Sequence, residues 1–247
     1  MKYFIANSLN ELSRPQENRK ATLGQNRQTG FTIVELLIAT TVFAVVLLVA
    51  LAGFIQIGHL FYKGVSISQT QETADHVYQD IDGSFQTASN IAGAQDSPSG
   101  GYDYYCVGNT RYTYQIDYEI TLPYTLDDSP APAGNFGILK DILPGSGSAC
   151  AAPCASSCQP GMIAFNNPIE LLGDRMRIEQ FDITQATPTS NLYNVSLIIA
   201  YGDDSTLKYS SPTPPYDYST AACQGDAQND FCAISNVTTS LYKGWHQ

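Results

Sequence analysis

The feature that most constrains this chain is an uninterrupted apolar run near its N-terminus. Residues 36–62 contain no Asp, Glu, Lys or Arg and consist mostly of Leu, Val, Ile, Ala and Phe. As an α-helix, a run of this length extends about 40 Å, whereas the hydrocarbon core of a bilayer is about 30 Å thick. No second run of this kind occurs in the 247 residues. The sequence therefore predicts one membrane-spanning helix, with the remainder of the chain in water.

Charged residues on the two sides of this run predict its orientation. Residues 1–30 carry five basic and two acidic side chains, namely Lys2, Arg14, Arg19, Lys20 and Arg27 against Glu11 and Glu17. Seven basic and 20 acidic residues follow the run. Basic flanks stay on the cytoplasmic side, so we expect residues 63–247 to be exported. Their acidity also argues against direct binding to nucleic acid.

The N-terminal segment has the reverse order of a secretory signal peptide. A secretory signal places its apolar core before the cleavage site. Here the polar segment Met1–Thr29 comes first, and the apolar run follows Gly30. Gly30 has no side chain to obstruct a protease, and its free φ lets the chain leave a helix there. This order predicts a leader over residues 1–30 with cleavage after Gly30.

The residues after Gly30 read Phe31-Thr32-Ile33-Val34-Glu35-Leu36-Leu37-Ile38-Ala39. They closely resemble the type IV prepilin family, whose signature is a Gly, an aromatic residue such as Phe, and a Glu five residues into an otherwise apolar helix. The resemblance implies cleavage by a membrane aspartyl prepilin peptidase, methylation of the new Phe31 amine and packing of the helix into a filament core. It also implies partners: other pilin subunits, the prepilin peptidase, the pilus assembly platform and the membrane.

Glu35 needs a specific explanation, because a carboxylate in a membrane helix costs a few kcal/mol and usually marks a function. The helix dipole favours an acidic group in the first turn by about 0.3 to 1 kcal/mol, which offsets part of that cost. A cationic amine on Phe31 of a neighbouring subunit, about 4 Å away, would contribute roughly 4 kcal/mol before desolvation. We expect Glu35 to act in assembly through this second interaction.

The remaining pattern predicts an α+β fold. Val77, Ile81, Phe85 and Ala88 recur at helical spacing, which indicates an amphipathic stalk helix that continues to about Ile91. The sequence thus divides into a leader (1–30), a membrane or filament-core helix (31–62), a stalk helix (63–95) and a β-rich head (96–247).

Strand patterns dominate the head. Alternation of apolar and polar residues predicts strands at Arg111–Ile120, Met162–Phe165, Arg175–Ile183 and Leu192–Tyr201, with a turn at Gly202-Asp203-Asp204. In Arg111–Ile120, the apolar side chains from Tyr112 to Ile120 fall on one face of the predicted strand. We expect these strands to form an antiparallel sheet that packs against the long helix.

Six cysteines in an exported head predict disulfides. They are Cys106, Cys150, Cys154, Cys158, Cys223 and Cys232, and six cysteines allow 15 full pairings. The segment between Cys223 and Cys232 resembles the disulfide-bounded C-terminal region of many pilins, which implies a bridge there. The spacing of Cys150, Cys154 and Cys158, with Cys106 as a fourth ligand, could instead bind zinc, but export favours oxidation.

Catalytic residues are hard to assemble from this sequence. The histidines are His59, His76 and His246, which are far apart, so no compact Ser/His/Asp or Cys/His set is evident. We therefore expect a structural protein without enzyme activity, cofactor or metal.

Two functions fit these observations. The first is a filament subunit that sits in the membrane as a single-pass protein before it joins a cell-surface filament. The mature chain of 217 residues and its cysteine-rich insert favour a minor pilin or pseudopilin. The second is a membrane-tethered surface binding protein that never polymerises. Its recognition surface would use the tyrosines of Tyr102–Tyr105 and Tyr216–Tyr218, which could equally be core residues.

Overall fold

The computed structural model describes residues 30–96, 101–123, 125–126, 134–144, 150–154, 158, 160–211, 216–224 and 231–244. The predicted leader, apart from Gly30, lies outside these residues. One long helix, α1 (Ile33–Thr87), precedes all the strands of the described chain. The chain divides into two units, Met1–Ala50 and Leu51–Gln247, and this division falls inside α1.

The first part of α1 exposes its apolar side chains on every side. All residues from 30 to 52 are exposed, and apolar side chains such as Leu48 and Phe54 are 67% and 73% exposed. The helix is long and apolar enough to cross a membrane, as its length and composition show. A helix also satisfies its own backbone hydrogen bonds, which a segment in lipid requires.

The second part of α1 buries one face. The buried residues recur every three or four positions and are Ser66, Thr70, Ala74, Val77, Ile81 and Phe85. This spacing places them along one stripe of the helix. The stripe that the sequence predicts through Val77, Ile81 and Phe85 is therefore confirmed.

The helix is shorter than predicted. It ends at Thr87, and Ile91 already begins a strand, so the expected continuation to about Ile91 is wrong. The carbonyl of Phe85 accepts a hydrogen bond from the amide of Gly244 at 3.1 Å, so the C-terminal segment of the chain satisfies part of the last helical turn.

The strands follow in chain order and vary from two to ten residues. They are β1 (Ile91–Asp96), β2 (Asp103–Val107), β3 (Thr110–Tyr114), β4 (Thr125–Leu126), β5 (Gly134–Asn135), β6 (Ile138–Ile142), β7 (Ala152–Cys154), β8 (Met162–Ala164), β9 (Ile169–Glu170), β10 (Met176–Gln185), β11 (Leu192–Tyr201), β12 (Leu207–Lys208), β13 (Ala222–Cys223) and β14 (Ala233–Tyr242).

These strands form two main sheets instead of the single sheet that the sequence predicts. The first has the order β1-β2-β3-β6-β9 and the second β10-β11-β14, and all neighbours within both are antiparallel. Among the two-stranded pairs, β7 and β8 run parallel. The predicted strand at Leu192–Tyr201 matches β11, and the α+β class is confirmed.

Both sheets share one core with the stripe of α1. Phe181 of β10 lies at the centre, with its ring centroid 5.0 Å from that of Tyr114 and 5.3 Å from that of Tyr105. Phe85 of α1 contacts Tyr193 of β11 edge to face at 5.6 Å. The two sheets and the helix therefore bury their apolar faces against one another, which is the arrangement that layered folds require.

The strand predicted at Arg111–Ile120 is wrong in its second half. β3 ends at Tyr114, and Tyr118 is 43% exposed although the alternation places it with the core residues. Beyond β3 the chain leaves the first sheet, and the amide of Asp117 donates to the carbonyl of Ile178 in β10 at 2.8 Å. Asp117 has a φ of 60°, a left-handed conformation that is incompatible with a regular strand.

We predict that Phe85→Ala lowers the free energy of unfolding of the head by about 3 to 5 kcal/mol, because it leaves a cavity in a close-packed core. Phe54→Ala, a matched change on an exposed side chain of the same helix, should alter it by less than about 0.5 kcal/mol. The measurement is denaturant unfolding in nonionic detergent, followed by near-UV circular dichroism of the tyrosines. Similar losses for the two variants would contradict the shared core.

Candidate functional site

The start of α1 presents the residues that the sequence singles out for processing. Gly30 and Phe31 precede the helix, both are exposed, and Phe31 is 86% exposed. A side chain placed on Gly30 would meet no described atom within 4 Å. The backbone on either side of the Gly30–Phe31 bond is thus not covered by the described part of the chain, as cleavage there would require.

Glu35 forms a reciprocal cap with Thr32. Its Oε2 accepts hydrogen bonds from the backbone N–H and the hydroxyl of Thr32, each at 3.0 Å. In return, the backbone N–H of Glu35 donates to the Oγ1 of Thr32 at 3.2 Å. The carbonyl of Thr32 accepts the first helical hydrogen bond, from Leu36, at 3.1 Å. This is a capping box, which satisfies amides that a helix start otherwise leaves unpaired.

The capping box is a role of Glu35 that the sequence predictions missed. The signal was present, because Thr32-x-x-Glu35 before an apolar run has the capping-box pattern. Both hydrogen bonds to the carboxylate end on Oε2, and Oε1 accepts none from the described residues. The cap therefore leaves one carboxylate oxygen exposed for a second interaction.

Comparison with protein families supports the special character of this helix start. A family model described as the prokaryotic N-terminal methylation motif matches residues 25–51, of which 25–29 lie outside the described residues. No curated protein and no solved structure matches the chain significantly. The motif is the signature of type IV pilins and pseudopilins. Together with the apolar part of α1, it supports a type IV pilin-like subunit that inserts in a membrane.

The six cysteines form three disulfides in the structure. The pairs are Cys106–Cys150, Cys154–Cys158 and Cys223–Cys232. The four cysteines of the zinc alternative are thus divided between two of these bridges. The bridge Cys223–Cys232 joins β13 to the residue before β14, close to the end of the chain.

A buried ion pair fixes the described start of the cysteine-rich segment, residues 150–154, against the first sheet. Arg111 of β3 and Asp141 of β6 form two hydrogen bonds of 2.9 and 2.7 Å, and both side chains are fully buried. The guanidinium also donates to the carbonyls of Ala151 and Ile163, at 2.9 and 3.1 Å. Because an unpaired buried charge is costly, this set of contacts holds β3, β6 and the cysteine-rich segment in a fixed arrangement.

The two tyrosine stretches have different environments. Tyr102, Tyr104 and Tyr105 are buried, so this stretch belongs to the core of the head. Tyr216 and Tyr218 are half-buried and lie against the ring of Tyr209. Of the two tyrosine stretches that the sequence offered as a recognition surface, only Tyr216–Tyr218 is therefore accessible to a ligand.

The described histidines lie on α1 and do not form a site together. His76 lies 3.8 Å from Glu72 one helical turn away, where both side chains are exposed. His59 lines an apolar cavity with Tyr62 and Phe231. His246 lies outside the described residues. Within the described part of the chain, no three His, Cys, Asp or Glu side chains are grouped as metal ligands.

We predict that peptide mapping without reduction recovers these three cysteine pairs from exported protein. For Cys223–Cys232, the loop-entropy relation gives a stabilisation of roughly 2.7 kcal/mol, so Cys223→Ser with Cys232→Ser should lower the midpoint of unfolding. The matched pair Ser235→Ala with Ser240→Ala on β14 should change it little. Recovery of Cys223 and Cys232 as free thiols would contradict this pairing.

Proposed function

We propose that this chain is a minor pilin or pseudopilin: a structural subunit that is cleaved after Gly30, methylated on the Phe31 amine and assembled into a filament through α1. The methylation motif at residues 25–51 carries this proposal. Its position supports it, because the motif contains both the exposed Gly30–Phe31 bond and the start of the apolar helix. Proteins with this motif are in general structural, not enzymatic.

The exposed apolar side chains of α1 would be covered in two successive environments. Before assembly, lipid would cover them, and in the filament, neighbouring copies of the helix would do so. Burial of apolar surface stabilises by about 25 cal/mol per Å², and side chains such as Leu48 remain two-thirds exposed without a partner. The partners would be other pilin subunits, with the prepilin peptidase and the assembly platform acting on the chain before that.

Glu35 would select the position of the incoming subunit. Its Oε2 is occupied by Thr32 of its own chain, and its Oε1 is exposed toward the surroundings of the helix. We place the Phe31 amine of a neighbouring subunit at this oxygen. Such a pair at about 4 Å would contribute roughly 4 kcal/mol before desolvation at an effective dielectric near 20. The cap and the pair can therefore coexist on one carboxylate.

The second candidate function is a tethered surface binding protein that does not polymerise. The half-buried tyrosines Tyr209, Tyr216 and Tyr218 favour some binding role for the head. A plain tether would not need its leader removed, whereas a pilin is cleaved before assembly. The N-terminus of the mature protein separates these functions.

We predict that the mature protein begins at Phe31 and carries a methylated amine. Intact mass measurement and N-terminal sequencing of protein from membranes and from sheared filaments test this directly. Gly30→Leu should block cleavage, because it adds a branched side chain at the cleavage site. Gly53→Ala, a change at a glycine within α1 where an added Cβ would also meet no described atom within 4 Å, should leave cleavage intact. A mature chain that retains Arg27 would contradict the pilin assignment.

We predict that Glu35→Gln lowers incorporation into filaments at least tenfold, because it removes the charge that pairs with the Phe31 amine. An unpaired amine in an apolar interface costs several kcal/mol, and each 1.4 kcal/mol corresponds to a factor of ten. Glu35→Ala should behave in the same way. Quantitative blotting of sheared filaments against membranes measures incorporation, and mass measurement confirms that both variants are processed.

Thr32→Val is the control that separates the charge from the cap. Glu35→Gln can still accept the hydrogen bonds of Thr32 and so keeps the capping box, whereas Thr32→Val loses the hydroxyl but keeps the carboxylate. Incorporation of Thr32→Val with exclusion of Glu35→Gln supports the intermolecular pair. The opposite result, in which Thr32→Val fails and Glu35→Gln assembles, would assign Glu35 to the cap alone.

A further inference from the structure

The head contains a cavity of about 330 Å³ at its tyrosine-rich end. Asp117 lies at one side of the cavity, in the segment that follows β3. Tyr209, Tyr216 and Gln224 contribute to its wall, and Lys208 of β12 lies at its rim. Ligand pockets have volumes from about 300 Å³ upward, so this cavity is near the lower limit. It therefore fits a small ligand better than an extended one.

Aromatic rings form one wall of the cavity and hold one another in place. The ring centroids of Tyr209 and Tyr216 are 5.0 Å apart, and the planes are tilted by 31°. Tyr218 supports both rings from behind in edge-to-face contacts at 5.4 and 6.1 Å. Aromatic pairs prefer such separations and tilts, so the wall is set before any ligand arrives.

Buried and half-buried carboxylates lie next to the cavity. The Oδ1 of Asp117 accepts hydrogen bonds from the hydroxyl of Tyr209 at 3.1 Å and from Arg177 at 3.2 Å. Arg177 also contacts Glu119 at 3.2 Å, and Glu179 is almost fully buried nearby, with 1% exposure. The buried guanidinium of Arg177 is thus paired with two carboxylates, and the buried carboxylate of Glu179 acts on Tyr209, in a region of low dielectric.

Burial and the nearby carboxylates disfavour ionisation of Tyr209 and Tyr218. Burial, followed by the negative charges of Glu179 and Asp117, raises the pKa of Tyr209 above its ordinary value. Burial and Asp117 raise the pKa of Tyr218 as well. Neutral tyrosine rings carry negative charge density on their faces, which attracts cations.

We propose that this cavity binds the alkylated ammonium group of a small organic cation such as choline. The faces of Tyr209 and Tyr216 would contact the ammonium, and the carboxylate of Asp117 would supply the opposite charge. Alkylated ammonium groups are recognised by aromatic rings in this way, because the methyl groups leave no hydrogen-bond donor to satisfy. The proposal concerns the head and does not depend on filament assembly.

Substitution of Lys208 distinguishes a cationic ligand from an anionic one. Its side chain is exposed, so its ammonium can remain in water while its stem covers the rim. For a cationic ligand this charge is repulsive, and Lys208→Ala should strengthen binding. For an anionic ligand Lys208 would be the main attraction, and the same variant should weaken binding.

The experiment titrates choline into the full-length protein in a nonionic detergent without choline groups, with calorimetry as the readout. We expect saturable binding with a Kd of about 1 mM or tighter. Tyr216→Leu should weaken binding about tenfold or more, and Tyr216→Phe, which keeps the ring, should weaken it less than threefold. Lys208→Ala should strengthen it, and Tyr242→Leu, a change at an exposed tyrosine on β14, should have no effect.

Dimethylbutanol, the neutral carbon isostere of choline, controls for hydrophobic binding. Equal affinity for choline and dimethylbutanol would overturn the proposal, and so would equal affinity of Tyr216→Leu and wild type for choline. Inorganic phosphate that binds more tightly than choline, and whose binding Lys208→Ala abolishes, would also overturn it. Circular dichroism verifies that each variant is folded. Vesicles of phosphatidylcholine in a parallel titration distinguish a lipid headgroup from a soluble ammonium compound, and binding of either source supports the site.

Discussion

The head depends on the packing of one helical stripe against two sheets. Val77, Ile81 and Phe85 occupy the core into which both sheets turn their apolar faces. A sheet of three or five strands must bury one face, and this stripe supplies the third layer. The same helix is apolar on every side in its first part, and all of its residues up to Ala52 are exposed. The first part of α1 is suited to lipid and the second part to the core of the head. Membrane insertion and folding of the head therefore use different residues of one helix.

The cysteine-rich segment is part of the fold because it covers the other face of the first sheet. Tyr104 and Leu139 are buried there with Ala152, in a second core next to the ion pair of Arg111 and Asp141. Removal of one partner from such a pair costs about 3 to 5 kcal/mol, since the remaining charge is left buried. The bridge Cys106–Cys150 joins the same two parts covalently. The first sheet is therefore covered on both faces, and it buries the polar side chains of Arg111 and Asp141.

Sequence patterns predicted the elements whose two faces differ, and failed where both faces are alike. The apolar residues of the α1 stripe recur every three or four positions, and those of β11 alternate with polar residues. Both elements were predicted from these patterns. β14, whose residues include Ser235, Asn236 and Thr238, was missed because an edge strand can be largely polar. Alternation also cannot reveal that Arg111 is fully buried, since its partner Asp141 comes from a distant part of the chain. The Thr32–Glu35 cap was readable but overlooked.

The cap changes the energetic problem that Glu35 poses. An isolated carboxylate would oppose insertion of α1, but Thr32 supplies two hydrogen bonds within the same chain, so part of the desolvation cost is offset before any partner is present. We therefore expect the pairing with a neighbouring amine to add to the cap instead of replacing it. A subunit could then wait in the membrane without misfolding at its N-terminus. The pair with the amine would form only when the next subunit brings its cleaved end to the exposed oxygen.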